Sequence, residues 1–269
     1  MGPDQRPARA VRRKAFATQA HTGLTAVARE FLSHLDNALY VALLLLTLAL
    51  TTQEGWRYQD VLWFALGWLF FLPQEWLTHV YLLHWICPAR ETVYRWMYRL
   101  HYGHHDLPNR HDLMFMPLWL TLPMTLANYL VFALLLPDQR ATQAAFGGAL
   151  LGYLVFEWTH LLCHAPVPLG GLWSRIRSRH LAHHFIDERR CHAVSPLAQP
   201  IDRMTGHRTR GEGDPGHTRR NERSPLCRVI VPGLDRAWTA RARQRFAHRS
   251  NGDLHRSRLW LPAGERRHG

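Results

Sequence analysis

Apolar residues are concentrated in the middle of the chain, between two polar ends that are rich in arginine. Four apolar runs separated by polar links make up this middle. They extend over residues 39–50, 61–83, 113–136 and 144–162. A helix needs about 20 residues to cross about 30 Å of hydrocarbon, and the third run has that length. The second and fourth runs are adequate, and the first reaches this length only with the residues before it.

The four runs predict an all-α integral membrane protein with about four transmembrane helices. Tryptophan and tyrosine residues lie near the ends of the runs, as they do at membrane interfaces. The alternative is a soluble protein in which the same segments form buried core helices.

The arginines in the links predict how the helices are oriented. The links at 51–60 and 137–143 are short and carry one arginine each, whereas those at 84–112 and 164–200 carry nine together. Because cytoplasmic loops carry an excess of Lys and Arg, we expect the N-terminal tail and both long links on the cytoplasmic side. The third and fourth runs then form a hairpin that returns the chain to the same membrane face.

The two ends are expected to lie outside the membrane domain, which we place at residues 31–205. Residues 1–30 form a basic tail that leads into an amphipathic segment, either disordered or lying on the membrane surface. Residues 206–269 form an Arg-rich tail that we expect to be disordered. RNA binding, anionic-lipid binding and a shifted reading frame are the alternatives for this tail. The net charge of +13 comes mainly from these ends, so we do not expect nucleic acid as a partner.

Ten of the 19 histidines fall into four groups, namely two looser pairs and two copies of the pattern HxxHH. These groups are His79 with His84, His101 with His104 and His105, His160 with His164, and His180 with His183 and His184. In HxxHH the three side chains share one helix face, with Cβ atoms about 5–6 Å apart. Because neutral imidazole is the commonest metal ligand, we predict that all ten histidines bind metal.

The two looser pairs differ in spacing. His160 and His164 are four residues apart and can bind one ion from one face of a regular helix. His79 and His84 are five residues apart, which places them about 140° apart on a regular helix. They therefore need a helix end, a wide turn, or different positions around a shared site. The sequence EWLTH before the first HxxHH returns as EWTH before the second, which indicates a loose repeat of two halves.

The number and type of ligands indicate which metals fit. Imidazole suits iron, zinc or copper rather than calcium or magnesium. Ten ligands are too many for one ion, so two ions with about five ligands each are the natural division. A closed structural zinc site would usually be four-coordinate and often use cysteine. The four cysteines form no CxxC pair, and we expect them to be reduced and to be small buried residues rather than ligands.

Carboxylates near the histidines are predicted to orient them. Glu75 and Glu157 each precede a histidine of their group by three or four residues and are candidates to accept a hydrogen bond from its second ring nitrogen. An interfacial carboxylate paired with arginine is the alternative for both. Four further residues flank the clusters and are expected in the second shell or in solvent. They are Asp106, His111, Asp187 and His192.

The order His-x4-His, HxxHH, His-x3-His, HxxHH resembles the fatty acid hydroxylase / sterol desaturase superfamily of membrane di-metal oxygenases. The third group, His-x3-His, looks most like the fatty acid 2-hydroxylase branch. Further similarity lies in HHDLPNRHDLMFMP after the second group and in HHFIDERRCHAVSP, with its Val-Ser-Pro stretch, after the fourth. The resemblance covers about residues 60–205 and is specific for the superfamily rather than for a substrate.

The resemblance implies two iron ions, bound by the ten histidines in a cytosolic histidine-rich cap, and O2 as co-substrate. Zinc is expected to be able to replace iron in a purified protein. The implied reaction is hydroxylation of a C–H bond in a lipid from the bilayer. A fatty acyl chain is the substrate that we expect first. No catalytic residue beyond the metal ligands is implied. A fused cytochrome b5 domain does not fit before the first run, so we expect a separate electron donor, cytochrome b5-like or a ferredoxin with its reductase.

Two other functions remain open at this point. One is a sterol desaturase or carotenoid hydroxylase of the same superfamily. The other is a metal-binding membrane protein without catalytic activity.

Overall fold

The computed structural model describes residues 23–53, 55–84, 91–108, 110–185, 188 and 190–206, and in this part of the chain every regular element is helical. The helices are α1 (Leu24–Ser33), α2 (Leu35–Thr52), α3 (Tyr58–Leu77), α4 (Glu91–Met97), α5 (Gly103–Asp106), α6 (His111–Met114), α7 (Leu118–Leu135), α8 (Gln139–His164), α9 (Gly171–Phe185) and α10 (Gln199–Met204). The all-helical prediction is therefore confirmed for the described residues.

Two helices continue into wider π-helical turns that contain histidines of the predicted groups. The segment Thr78–Leu83 extends α3, and the segment Tyr98–Tyr102 joins α4 to α5. π-Helical turns are rare and occur frequently at functional sites.

Three of the described helices are long and apolar enough to cross a membrane: α2, α7 and α8. These correspond to the first, third and fourth predicted spans. Helix α3, which contains the second apolar run, is also long, but it carries Asp60 and Glu75 together with Gln74 and Pro73. The fourth crossing is therefore still a proposal.

Helix α8 is the centre of the bundle, because most of its residues are buried between α2, α3 and α7. Its contact with α3 is a close approach of two backbones. A Cβ on Gly67 would overlap the carbonyl oxygen of Ala145, and one on Gly148 would overlap that of Phe64. Small residues at such crossings let membrane helices pack closely. This packing fixes α3 and α8, the two helices that lead to the looser histidine pairs.

The outward faces of the bundle are apolar. Leu45 of α2, Leu62 of α3 and Leu134 of α7 are each more than half exposed. Such faces are unfavourable in water and suit a hydrocarbon environment. Helix α1 packs against the bundle through its buried Phe31, which makes edge contacts with Phe115 and Trp158.

The boundary predicted at residue 30 falls inside α1. The remainder of the predicted N-terminal tail, residues 1–22, and all of the chain beyond residue 206 lie outside the described residues. The predicted tails and domain boundaries therefore stay predictions.

Candidate metal centre

The ten predicted histidines lie together in two groups of five. Cluster one contains His79, His84, His101, His105 and His183. Cluster two contains His104, His160, His164, His180 and His184. Within each cluster, the five nitrogens that face one another lie within 4.8 Å. The two clusters adjoin, since the rings of His105 and His184 stack with centroids 4.2 Å apart.

Each HxxHH group divides its histidines between the two clusters. The first and last histidines of a group, one helical turn apart, point into one cluster, and the middle histidine points into the other. Thus His101 and His105 belong to cluster one while His104 belongs to cluster two. The second group does the reverse, because His180 and His184 join cluster two while His183 joins cluster one. Each half of the chain therefore contributes four histidines to one cluster and one to the other.

The π-helical turn after α3 explains how His79 and His84 reach the same cluster. The His84 backbone N–H donates to the His79 carbonyl oxygen at 3.2 Å, which is the i to i+5 bond of a π-helix. This wider turn brings residues five apart onto nearly the same face, and the two ring centroids are 5.0 Å apart. Of the three possibilities left open by the sequence, the structure has the wide turn.

The ring nitrogens within each cluster are spaced as ligands of one ion. His101 Nε2 lies 3.1 Å from His79 Nε2, 2.8 Å from His84 Nε2 and 3.0 Å from His105 Nε2. One imidazole N–H can donate to only one of these neighbours, so hydrogen bonds do not account for the arrangement. Two nitrogens bound at about 2.1 Å and at right angles on one ion stand about 3 Å apart. The residues of cluster one therefore fit a metal ion.

Cluster two has the same spacing. His180 Nε2 lies 2.8 Å from His164 Nε2 and 3.0 Å from His184 Nε2, and His160 Nε2 lies 2.9 Å from His104 Nε2. Its residues fit a second ion by the same argument.

Burial keeps the imidazoles in the form that binds metals. Burial first, and then the neighbouring imidazoles, lower the pKa of His101, His105 and His184 well below the usual value. Burial lowers the pKa of His183 to about 4. These rings are therefore neutral at pH 7, and neutral imidazole is the ligand form.

Two backbone carbonyls orient histidines of cluster one. His79 Nδ1 donates to the carbonyl oxygen of His192 at 2.6 Å, and His183 Nδ1 donates to that of Arg190 at 2.7 Å. Each contact fixes the ring tautomer so that Nε2 faces the cluster. Cys191, between the two carbonyls, has a positive φ of 59°. That left-handed turn is costly for a side-chain-bearing residue, so it indicates that the surrounding contacts hold the loop firmly.

Asp202 of α10 stabilises this loop and is fully buried. It accepts hydrogen bonds from the backbone N–H groups of His192 and Ala193 and from the indole N–H of Trp76. Arg179 donates to it at 3.2 Å. Nothing in its spacing to the histidines pointed to Asp202, since it lies ten residues beyond His192 on a different element.

Glu75 and Glu157 connect the two halves of the chain. Glu75 Oε1 accepts hydrogen bonds from the backbone N–H groups of Val194 and Ser195 at 2.8 and 2.9 Å. Glu157 Oε1 accepts from the backbone N–H of Met116 at 3.0 Å and from the Tyr153 hydroxyl at 3.1 Å. Each glutamate therefore binds the loop that follows the HxxHH group of the other half. Their predicted contact with a second nitrogen of a ligand histidine stays a prediction.

Arg177 stabilises the end of α8 beside cluster two. Its guanidinium donates to the carbonyl oxygens of Leu162, Ala165 and Val167 at 2.6 to 3.2 Å. A helix end leaves such carbonyls without partners, and a cation there also complements the helix dipole. In the sequence, Arg177 was only one of the arginines that predict a cytoplasmic link at 164–200, and its structural role was not predicted.

An apolar cleft reaches cluster one between α3, α7 and α8. It contains about 670 Å³ of empty space, part of which is open to the outside. His79, Glu75 and Thr78 lie at one end of it, and Ala149 and Phe146 belong to its apolar wall. No histidine of cluster two lies among the described residues that line it. A cleft lined mainly by apolar side chains with a few polar groups is typical of small-molecule sites.

The other predicted residues have varied positions. His192 is buried, with its ring centroid 5.2 Å from that of His183, whereas His111 belongs to neither cluster and contacts Glu30. The side chain of Asp106 and all of Asp187 lie outside the described residues, so their roles stay predictions. Cys163 and Cys191 are free and buried, as expected, and the other two cysteines are outside the described part.

Comparisons with known proteins agree with the resemblance noted in the sequence. A sequence model of the family described as fatty acid hydroxylase matches residues 64–207, more than half of the chain. Fatty acid 2-hydroxylase of Homo sapiens is 31% identical over 137 residues, which are 49% of this chain and 36% of that protein. A dihydroceramide fatty acyl 2-hydroxylase of Arabidopsis thaliana is 29% identical over 115 residues, 41% of this chain and 48% of that protein. The chain thus spans about a third to a half of the length of these relatives.

One solved structure shares the fold. The full-length scs7p structure, in which only the hydroxylase domain is visible, aligns with a TM-score of 0.58 and 21% identity. The alignment covers 64% of this chain and 65% of that chain.

Proposed function

Since the chain belongs to the fatty acid hydroxylase family, on its 2-hydroxylase-like branch, we propose that it is an O2-dependent membrane enzyme that hydroxylates a lipid acyl chain. The relatives named above act on the 2-position of fatty acyl chains by name, and we propose the same position here. The observation that carries the proposal is a pair of five-histidine clusters, one of which opens to an apolar cleft.

Hydroxylation inserts one oxygen atom of O2 into a C–H bond and reduces the other to water, using two electrons and two protons. Two iron ions bound by the clusters would supply this O2 chemistry. The ten histidines of the two clusters are proposed as their ligands, and zinc is proposed to be able to replace iron. The electrons come from a separate donor in this proposal, cytochrome b5-like or a ferredoxin with its reductase.

The protein's own residues position the substrate and the ligands. The apolar wall of the cleft binds an acyl chain and excludes water from it. Because His79 is part of that wall, a bound chain approaches cluster one rather than cluster two. His183 and His79 donate their Nδ1 protons in hydrogen bonds to the carbonyls of Arg190 and His192. These bonds hold the proton on Nδ1 and leave both Nε2 atoms for the metal.

The membrane arrangement is part of the proposal. Helix α3 is the fourth crossing, beside the three helices that are long and apolar enough. The clusters then lie at the cytoplasmic face of the membrane, because the arginine-rich links at 84–112 and 164–200 also carry the two HxxHH groups. The cleft between α3, α7 and α8 therefore opens toward the bilayer, from which a lipid can enter without crossing water.

Lipid mass spectrometry tests this function. The full chain and a His183→Ala variant are expressed in a host without hydroxylated acyl chains, and total lipid extracts are compared. The expected result is a gain of one oxygen atom on acyl chains with the wild type alone, and fragmentation places it at the 2-position.

Other products would identify the alternatives. Loss of two hydrogens indicates a desaturase, and oxygen on a sterol or carotenoid indicates those relatives of the superfamily. An unchanged lipid extract from a membrane-inserted, metal-loaded protein supplied with donor and O2 would contradict an enzyme of this class and favour a non-catalytic metal-binding protein.

A further inference from the structure

A third group of metal-binding side chains lies outside both clusters. It consists of Glu30, His34 and His111, whose donor atoms all lie within 4.8 Å of one another. Glu30 Oε1 is 2.9 Å from His111 Nδ1 and 3.3 Å from His34 Nε2. The sequence placed His111 only as a residue flanking the second histidine group, and it gave no role to the other two.

Packing brings these residues together from distant parts of the chain. Glu30 and His34 are four residues apart at the end of α1, and therefore lie on one side of it. His111 is the first residue of α6, in the segment that follows the second HxxHH group. Helix α1 is held there by its contact through Phe31 with Phe115, and the His34 ring packs on Phe115 with centroids 4.4 Å apart.

The donors are those that zinc and similar divalent metals prefer. Two imidazoles and one carboxylate form a known three-ligand set that leaves one position for water. Ligand atoms around a tetrahedral ion at about 2.1 Å stand about 3.4 Å apart, so the distance of 3.3 Å from Glu30 to His34 matches and the distance of 2.9 Å from Glu30 to His111 needs only a small adjustment. The side chains of Glu30 and His34 are 24% and 25% exposed, so an ion can enter from solvent, whereas that of His111 is 8% exposed.

The carboxylate is also suited to a cation. A glutamate side chain is ionised at pH 7, so Glu30 offers a negative oxygen to the ion.

We propose that Glu30, His34 and His111 form a third metal site, which takes a divalent transition metal such as zinc and fastens α1 to the segment after the second HxxHH group. The ion is structural in this site. It ties the helix that precedes α2 to the segment containing Phe115 and Met116, and Met116 lines the cleft. The alternative for the same geometry is a hydrogen-bonded ion pair without metal.

Metal counting tests the proposal without any reference to lipid turnover. The full chain, purified in detergent with its resident metals, is dialysed against micromolar Zn²⁺, and metal per chain is measured by mass spectrometry. Glu30→Gln and His34→Asn are expected to bind one ion less per chain than the wild type. Asp36→Asn removes the same charge a few residues away and is expected to match the wild type. Equal metal content in all four proteins would overturn the proposal.

A second measurement uses only the wild type and so does not depend on the folding of a variant. Histidines are modified with diethyl pyrocarbonate with and without added micromolar Zn²⁺, and the modified positions are mapped by peptide mass spectrometry. Zinc is expected to protect His34 several-fold. If modification of His34 is the same with and without zinc, the group is an ion pair and the metal site is disproved.

Discussion

Cluster one and cluster two contain five histidines each, but the chain holds them in different ways. In cluster one, two ligands are set by a π-helical turn, and His79 and His183 donate to loop carbonyls. In cluster two, His160 and His164 come from the regular helix α8, and His180 and His184 come from α9. The Nδ1 atoms of four of its rings have no hydrogen-bond partner among the described residues.

The difference indicates separate roles for two chemically similar sites. Loop contacts can adjust the ligands of cluster one, which is the cluster beside the cleft. The ligands of cluster two all lie on helices, four on α8 and α9 and His104 on α5, and this cluster is farther from the substrate in our proposal. Cluster one therefore depends on Asp202 and Glu75, which hold the loop at residues 192–195. Cluster two depends instead on the stability of α8 and α9, which carry four of its five histidines.

The largest expected effects come from two histidines, each of which belongs to the cluster that is formed mainly by the other half of the chain. His183→Ala and His104→Ala each remove one ligand, from cluster one and cluster two respectively. Both are expected to lower lipid hydroxylation by more than about 100-fold, beyond the range typical of residues that only orient ligands. Turnover and metal content are measured on membrane-inserted protein. Normal turnover with normal metal content in either variant would show that the residue is not a ligand.

The next largest effect distinguishes the two glutamates. Glu75→Gln weakens the hold on the loop whose His192 carbonyl orients His79, so we expect a fall in kcat of about tenfold. Glu157→Gln instead affects Met116, which lines the cleft, so KM should rise more than kcat falls. Steady-state kinetics with one acyl substrate separates the two. Identical changes in kcat and KM for both variants would remove the proposed asymmetry between the clusters.

A smaller effect concerns the helix end beside cluster two. Arg177→Lys keeps the charge but replaces three nitrogens, which together reach three carbonyls, with a single one, so the protein should be less stable by about 1–2 kcal/mol. Thermal unfolding in detergent measures this. The control is Arg175→Lys, because Arg175 is exposed and lies on α9, the helix that also carries Arg177. It should leave the melting temperature unchanged. Equal melting temperatures for both variants would exclude a stabilising role for the Arg177 contacts.

The smallest effect is a change of chain-length preference. Ala149 lines the cleft 11 residues before His160, about 16 Å along α8 from the histidines. Ala149→Leu should therefore reduce turnover of long acyl chains severalfold and spare short ones. The control is Ala127→Leu, because Ala127 is exposed on α7 and does not line the cleft. A uniform loss across all chain lengths would place the acyl chain elsewhere.

Much of the site could be predicted from the spacing of histidines, because three of the four groups repeat at helical intervals. His101, His104 and His105 needed only a helix to share a face. The pairing of His79 with His84 could not be predicted, since it depends on a π-helical turn that their spacing permits but does not require. The division of each HxxHH group between two clusters also depends on how α5 and α9 face each other, which is tertiary packing.

The supporting residues were harder to find. Backbone carbonyls such as those of Arg190 and His192 have no sequence signature, because every residue has one. Asp202 looked like an ordinary surface acid, and only the fold buries it beside Trp76. The spacing of Glu75 and Glu157 suggested contacts with neighbouring histidines, whereas the loops that they bind lie about 120 and 40 residues away along the chain.

The central claim is that the ten histidines form two metal sites, each with ligands from both halves of the chain. An anomalous-difference map from crystals of the metal-loaded protein tests this most directly. We predict two strong peaks in the histidine-rich region, one surrounded by the Nε2 atoms of cluster one and the other by those of cluster two. A single peak between the clusters, or a site without His183 or without His104 among its ligands, would contradict the account.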